Sequence, residues 1–211
     1  MNKEKVILLL SGGIDSTTLL AKLASENYKI TCLSFNYNQR NRIELDLASQ
    51  NSKKYNVSKH IIIDISNDLF ESSALVNKEL DVLGSGIDYQ GNERVNTYVP
   101  FRNMVFTTMA LSKAESMGVK KIFIAVNKDD SRDYWDCRPS FFNQLNSISD
   151  LNSAIKIITP FINYSKKEIV KIAKELDVDL SNTVSCYQPN DKEECGVCLS
   201  CMIKQEALVL N

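Results

Sequence analysis

The chain has 211 residues, 44% hydrophobic and 24% charged, enough for one sizeable domain with a small appendage. Its 25 Lys plus Arg balance 26 Asp plus Glu, a net charge of -1, so no basic field advertises a nucleic-acid partner and no charge run marks a tail. No apolar stretch approaches the roughly 18 residues of a membrane span, and the N-terminal apolar run is too short for a signal peptide. A cytoplasmic chain with reduced thiols is expected, and its six cysteines then want an explanation other than disulfides.

In chain order, Val6 to Leu10 reads as a buried strand, and SGGIDS follows it directly. A helix is expected from Ser16 to Ser25, a second strand from Ile30 to Phe35, and a helix from Arg42 to Tyr55 with Ile43, Leu47 and Ala48 on one face. A strand from Ile61 to Ile65 comes next. Residues 66–100 are rich in Asn, Asp and Gly and read as an insertion serving as a lid or interface arm. A helix from Asn103 to Met117, a strand from Lys121 to Val126 and a helix from Ser165 to Leu176 complete the alternation. The fold class is α/β, an open doubly wound parallel sheet whose ligand site lies at the carboxyl ends of the strands. The expected division is 1–183 for this domain and 184–211 for a small cysteine-bearing subdomain closed by a helix from Met202 to Leu210. There is no internal repeat.

SGGIDS therefore sits on a strand-to-helix turn at the ligand end of the sheet. Consecutive N–H groups there form an anion site, and the helix N-terminus adds partial positive charge. Gly12 and Gly13 allow the dihedrals and the close approach. Ser11, Ser16 and Thr17 offer hydroxyls. The pattern is neither a Walker A loop nor a dinucleotide fingerprint. It is similar to S-G-G-x-D-S, the pyrophosphate loop of the N-type ATP pyrophosphatases, enzymes that cleave ATP to AMP and pyrophosphate. That resemblance implies Ser11, Gly12, Gly13, Ser16 and Thr17 as ATP ligands, with Asp15 helping to hold Mg2+ beside the leaving group.

Cys186, Cys195, Cys198 and Cys201 form two overlapping C-x-x-C steps plus one upstream thiol. Four thiolates close a tetrahedral zinc site, which is structural rather than catalytic; an iron–sulfur cluster and a redox or sulfur-carrying pair are the rivals. Cys32 reads as core packing, Cys137 as core or pocket wall, and His60, the one histidine, as a surface or strand-end residue.

Further segments extend the resemblance over nearly the whole chain. FNYNQRNRIE, YVPFRNMVF, DYWDCRP, TPFINYSKKEIV and SCYQ…CGVCLSCMIKQEAL resemble ordered landmarks of the 7-cyano-7-deazaguanine synthases, which make the nitrile precursor of queuosine. The resemblance implies that 7-carboxy-7-deazaguanine is adenylated by ATP, that ammonia displaces AMP, and that a second activation of the amide yields the nitrile. It implies catalytic roles for Asp15, Lys166 and Arg40, and substrate contacts from Arg102, Asn103, Tyr134, Asp136 and Arg138. A carboxylate such as Asp136 suits the N1–H and amino edge of a guanine-like ring. ATP, Mg2+ and Zn2+ are the implied cofactors, and a homodimer the implied assembly.

Three departures stand out. The family's Q-R-H is Gln39-Arg40-Asn41. Its V-P-G-R-N carries Phe101 in place of the glycine. Its S-G-Y-P-D-C-R lacks the glycine and the proline and carries Trp135. They cluster at the expected substrate site, which fits an alternative in which the adenylating engine joins the same deazaguanine to another amine, including one on a protein. A non-catalytic nucleotide-binding module is the third reading.

Overall fold

The protein is described by a computed structural model that covers residues 3–82, 85–87, 93–189 and 193–209. β1 (Lys5–Leu9), α1 (Ile14–Ser25), β2 (Lys29–Asn36), α2 (Ile43–Lys54) and β3 (Lys59–Asp64) come first. A hairpin of β4 (Ser85–Ile87) and β5 (Glu93–Val95) precedes α3 (Arg102–Met117), β6 (Lys121–Phe123) and α4 (Asp130–Asp133). α5 (Pro139–Asp150), β7 (Lys156–Ile158), α6 (Lys166–Glu175) and α7 (Leu199–Val209) complete the chain. The expected strands and helices are present within a few residues of their predicted bounds. β7 and α5 were not anticipated, and Leu210 lies outside the described residues.

The main sheet has five strands in the order β3-β2-β1-β6-β7, and every pairing is parallel. The chain winds outward from β1 to β3, then returns to β1's other side with β6 and β7. This reversal makes the carboxyl ends of β1 and β6 the topological switch point, where a doubly wound sheet leaves a crevice.

β1 shows why both faces must be covered. Val6 and Leu8 pack with Ile14, Leu19, Leu20 and Ile169, whereas Ile7 packs with Ala110, Phe141 and Leu145. The side-chain period of two sends alternate residues to opposite helix layers. α1 and α6 lie on one side, α3 and α5 on the other. The insertion supplies Phe70, Leu75, Val76 and Val99 to the second core, so it is built into the fold rather than laid over it. The glycines and asparagine at 84, 91 and 92 are outside the described residues.

The β1–α1 turn is fixed from two sides. Gly12 has φ +83, and a Cβ there would drive into the Glu44 carbonyl of α2. Its own carbonyl accepts from Val184 N at 3.3 Å, and a Cβ on Gly13 would press on the Val184 carbonyl. α2 and the cysteine-bearing end thus clamp the turn, and only glycine leaves room. Gly12→Ala should cost about 2–5 kcal/mol from the left-handed conformation and the backbone clash. Urea unfolding measures it; a loss under about 1 kcal/mol would contradict the packing described.

Candidate functional site

The carboxyl ends of β1, β2 and β6 open onto a cavity of about 280 Å³. Ser11, Gly13, Asp15 and Ser16 line it; Gly12 and Thr17 do not. Thr17 is fully buried, and its Oγ1 has no hydrogen-bond partner among the described residues. The turn's hydroxyls hold one another. Ser11 Oγ and Ser16 Oγ lie 3.0 Å apart, Ser11 N donates to Ser16 Oγ at 3.2 Å, and Gly13 N donates to Ser11 Oγ at 3.3 Å. This small ring at a helix N-terminus is a concave donor surface suited to an anion.

Beside it lies a buried charge cluster. Lys166 Nζ contacts both Asp15 oxygens, at 2.6 and 2.7 Å, with side chains only 11% and 13% exposed. Asn127 Nδ2 donates to Asp15 Oδ2 and to Asp130 Oδ2, each at 2.8 Å. Local structure aims the lysine. Ser165 and Glu168 form a capping box that starts α6, and Lys166 N donates to Asp129 Oδ2 at 2.8 Å. Burial works against the ammonium charge, but Asp15 and Asp130 outweigh it and raise the lysine pKa. Burial pushes the Asp130 carboxyl up to about 6, with Lys166 pulling back and Asp15 pushing further.

Asp130 was not singled out in the sequence. Its signal was the polar run Asn127 to Asp130 directly behind the β6 apolar stretch, at the strand end where a site was already expected. Two carboxylates bridged by an amide, with a lysine on one of them, are oxygen donors of the kind that could hold a divalent cation.

The other expected residues divide. Arg102, Asn103 and Tyr134 line the cavity. Burial opposes the Arg102 charge, yet Tyr37, Asp136 and Cys137 outweigh it and hold the guanidinium charged. Tyr134 Oη lies 2.7 Å from Thr97 Oγ1. Asp136 differs from the expectation: it is 3% exposed, is not on the cavity wall, and accepts from Asn103 N at 3.1 Å. It fixes the start of α3. Arg138 is exposed and donates to the Ser131 carbonyl, away from the cavity. Arg40 reaches the cavity, but its Nε and Nη2 donate to the carbonyls of Ala74, Asn77 and Leu80. It pins the insertion.

Cys137 is both core and wall, and burial pushes its thiol far up, which disfavours the thiolate. Cys32 is core, with its thiol pushed up to about 12 by burial. His60 pairs with Ser34 Oγ at 2.7 Å on the sheet, away from the cavity. Phe101 caps α3 at φ 52 in the left-handed region, which explains a family glycine there. Its ring meets Trp135 edge-on at 5.1 Å, and Trp135 Nε1 donates to Tyr98 Oη at 2.7 Å. Phe101 and Trp135 are exposed.

The four cysteines converge. The Sγ atoms of Cys186, Cys195, Cys198 and Cys201 lie within 4.8 Å of one another, near the roughly 3.8 Å edge of a tetrahedron built on Zn–S bonds of about 2.3 Å. Cys195 N and Gln188 N donate to Cys186 Sγ, at 3.2 and 3.4 Å, as thiolate ligands require. Gly196 takes φ +73 at the knuckle. Glu194 ties α7 to this loop through Lys204 at 2.9 Å.

Asp130 binds its proton more tightly folded than unfolded, so the fold loses stability as pH rises from about 4 through about 6. In Asp130→Asn that loss should shrink by about 1 kcal/mol between about pH 5 and about pH 8. Urea unfolding of both proteins checks it; identical pH dependence would contradict the burial-driven shift.

Comparisons place this geometry among known proteins. The chain matches the family described as Queuosine biosynthesis protein QueC over residues 5–211. It is 41% identical over 214 residues to the 7-cyano-7-deazaguanine synthase of Rickettsia felis, covering 99% of this chain and 96% of that protein. The 7-cyano-7-deazaguanine synthase of Rickettsia bellii is 40% identical over 213 residues, covering 99% and 95%. A solved structure described as a predicted subunit of tRNA methyltransferase from Methanocaldococcus jannaschii has TM-score 0.54 and 20% identity, covering 82% of this chain and 75% of that one. The structure of NMN synthetase from Francisella tularensis has TM-score 0.53 and 16% identity, covering 93% and 70%. These two share the overall fold of this chain. With a family match over nearly its full length and two synthases near 40% identity, the chain belongs to the QueC family of queuosine biosynthesis proteins.

Proposed function

We propose that the chain is an ATP-dependent ligase that converts 7-carboxy-7-deazaguanine and ammonia, through the amide, to 7-cyano-7-deazaguanine. The observation that carries this is the meeting of the Ser11–Ser16 turn with the Asp15–Lys166–Asn127–Asp130 cluster on one cavity. The names of the family and of its relatives support the substrate class.

A carboxylate is a poor electrophile, and adenylation turns one of its oxygens into a leaving group. In the proposed first step that oxygen attacks the α-phosphorus of ATP and pyrophosphate departs. Ser11, Gly13 and Ser16 would hold the pyrophosphate. Asp15 and Asp130 would hold Mg2+, which supplies charge neutralisation on the leaving group. Lys166 keeps the two carboxylates together and sets positive charge beside the reacting phosphates. Ammonia then adds to the carbonyl carbon, a proton leaves the nitrogen, and AMP departs. The amide oxygen then attacks the α-phosphorus of a second ATP and expels pyrophosphate; loss of AMP and the two remaining N–H protons gives the nitrile. Leu33, Phe35 and Phe106 wall the cavity and would keep water from the adenylates.

Mass spectrometry of the chain with ATP, magnesium, ammonium and 7-carboxy-7-deazaguanine tests this. Free nitrile with AMP and pyrophosphate is expected. Asp15→Asn should lower AMP formation at least about 100-fold. ATP binding with no pyrophosphate release would support the non-catalytic reading instead.

A second reading rests on the exposed rim of Phe101 and Trp135, bulk that a small-amine reaction does not need. In it the chain stops at an amide with a larger amine, including one on a protein. A deazaguanine mass on a protein, without free nitrile, would support it.

The cysteine cluster fits structural zinc. One zinc per chain is expected, with Cys198→Ser losing the metal and lowering Tm. The visible absorbance of an iron–sulfur cluster would contradict it.

A further inference from the structure

The carboxylate expected to read the heterocycle, Asp136, is occupied by Asn103 and stands off the cavity wall. Glu44, on the first turn of α2, is on that wall. Its Oε1 accepts from Gln39 Nε2 at 2.7 Å. Gln39 is itself locked, accepting from Tyr37 N at 3.0 Å and donating to the Phe35 carbonyl at 3.1 Å. A fixed amide thus orients Glu44 and leaves Oε2 for a ligand.

Asn41 adds a second acceptor. It is 8% exposed and lines the same cavity. Its Nδ2 donates to the Cys186 carbonyl at 2.8 Å, while its buried Oδ1 has no partner among the described residues. A buried carbonyl without a donor is costly and calls for a ligand. Arg102 lies close enough to pull on the Glu44 charge, and its Nη1 donates to Tyr37 Oη at 3.5 Å. Phe35 and Phe106, stacked at 4.1 Å and 5°, give the wall a flat apolar surface.

Two acceptors, a guanidinium donor and a flat wall match an aminopyrimidinone edge, which presents a ring N–H, an exocyclic amine and a ring carbonyl. We infer that Glu44 and Asn41 are the specificity residues that read this edge of the substrate. The Glu44 carboxylate accepts from the ring N–H and the amine, Asn41 Oδ1 takes a further amine hydrogen, and Arg102 donates to the ring carbonyl. Asp136 is a positioning residue that holds Asn103 and the start of α3. The inference rests on the proposed reading that the substrate is a carboxydeazaguanine.

The charge state of Glu44 gives an additional readout. Burial pushes its carboxyl up to about 7, with the Gln39 bond and Arg102 pulling back. Tyr37 and Arg102 are the titratable and charged groups facing it. Binding through the carboxylate should therefore weaken about tenfold from about pH 8 to about pH 6.

Calorimetric titration of the full chain with 7-carboxy-7-deazaguanine and with its analogue lacking the exocyclic amine is the test. The wild type should prefer the amine-bearing ligand at least about 100-fold. In Glu44→Gln the preference should fall below about fivefold, and the tenfold weakening around pH 7 should be lost. Asp136→Asn should weaken both ligands together and keep their ratio. If Glu44→Gln does not fold, Asn41→Ala carries the same readout, with a preference reduced about tenfold. Retention of the full preference in the folded Glu44 or Asn41 variant, or its loss in Asp136→Asn, overturns the inference while leaving the proposed function standing. A wild type that binds neither ligand overturns both.

Discussion

The buried ion pair between Lys166 and Asp15 is the constraint on which the strand ends depend. It joins the first turns of α1 and α6, elements 151 residues apart in sequence. Without the ammonium, Asp15 and Asp130 would share one amide donor with only Arg102 left to offset their repulsion. The capping box before α6 and the glycine turn before α1 hold the two partners at the right spacing. The same pair points into the cavity, so the device that closes the fold also supplies its charge.

β1, β2 and β6 were legible because they are apolar runs buried on both faces, and the turn was legible because only glycine fits its backbone. The cysteines were legible because two overlapping C-x-x-C steps place three thiols on a short tether, with Cys186 nine residues upstream as the fourth. β7 was missed: three residues, Lys156–Ile158, give no run long enough to read. α5 was missed because Phe141, Phe142 and Leu145 are few apolar residues among polar ones, and its start is marked only by Pro139. Site residues were harder, since sequence type does not say which neighbour takes a side chain. Asp136 and Arg40 have the right chemistry for ligands, yet one caps a helix and the other holds the carbonyls of the insertion. Asp130 joins the site through Asn127, which reaches Asp15 only when the ends of β1 and β6 meet, and Glu44 lines the cavity on a side chain that a nearby amide, Gln39, orients.

The departures from the family pattern have separate physical consequences. Phe101 keeps a glycine-like left-handed conformation, a strain of roughly 1–2 kcal/mol. Its ring packs on Trp135, which is anchored by Tyr98, so the two large substitutions form one rim. Asn41 replaces a titratable ring with a neutral amide that ties the loop after β2 to Cys186. Proton transfer at that position is gone; a fixed acceptor remains. The SGGIDS turn and the cysteine knuckle carry no such change.

The most direct measurement of the central claim is a crystal structure of the chain with magnesium, a non-hydrolysable ATP analogue and 7-carboxy-7-deazaguanine. Polyphosphate is expected on the Ser11–Ser16 turn, the metal on Asp15 and Asp130, and the heterocycle in the same cavity with its carboxylate turned to the α-phosphate. A heterocycle bound outside that cavity, or polyphosphate held away from the turn, would contradict it.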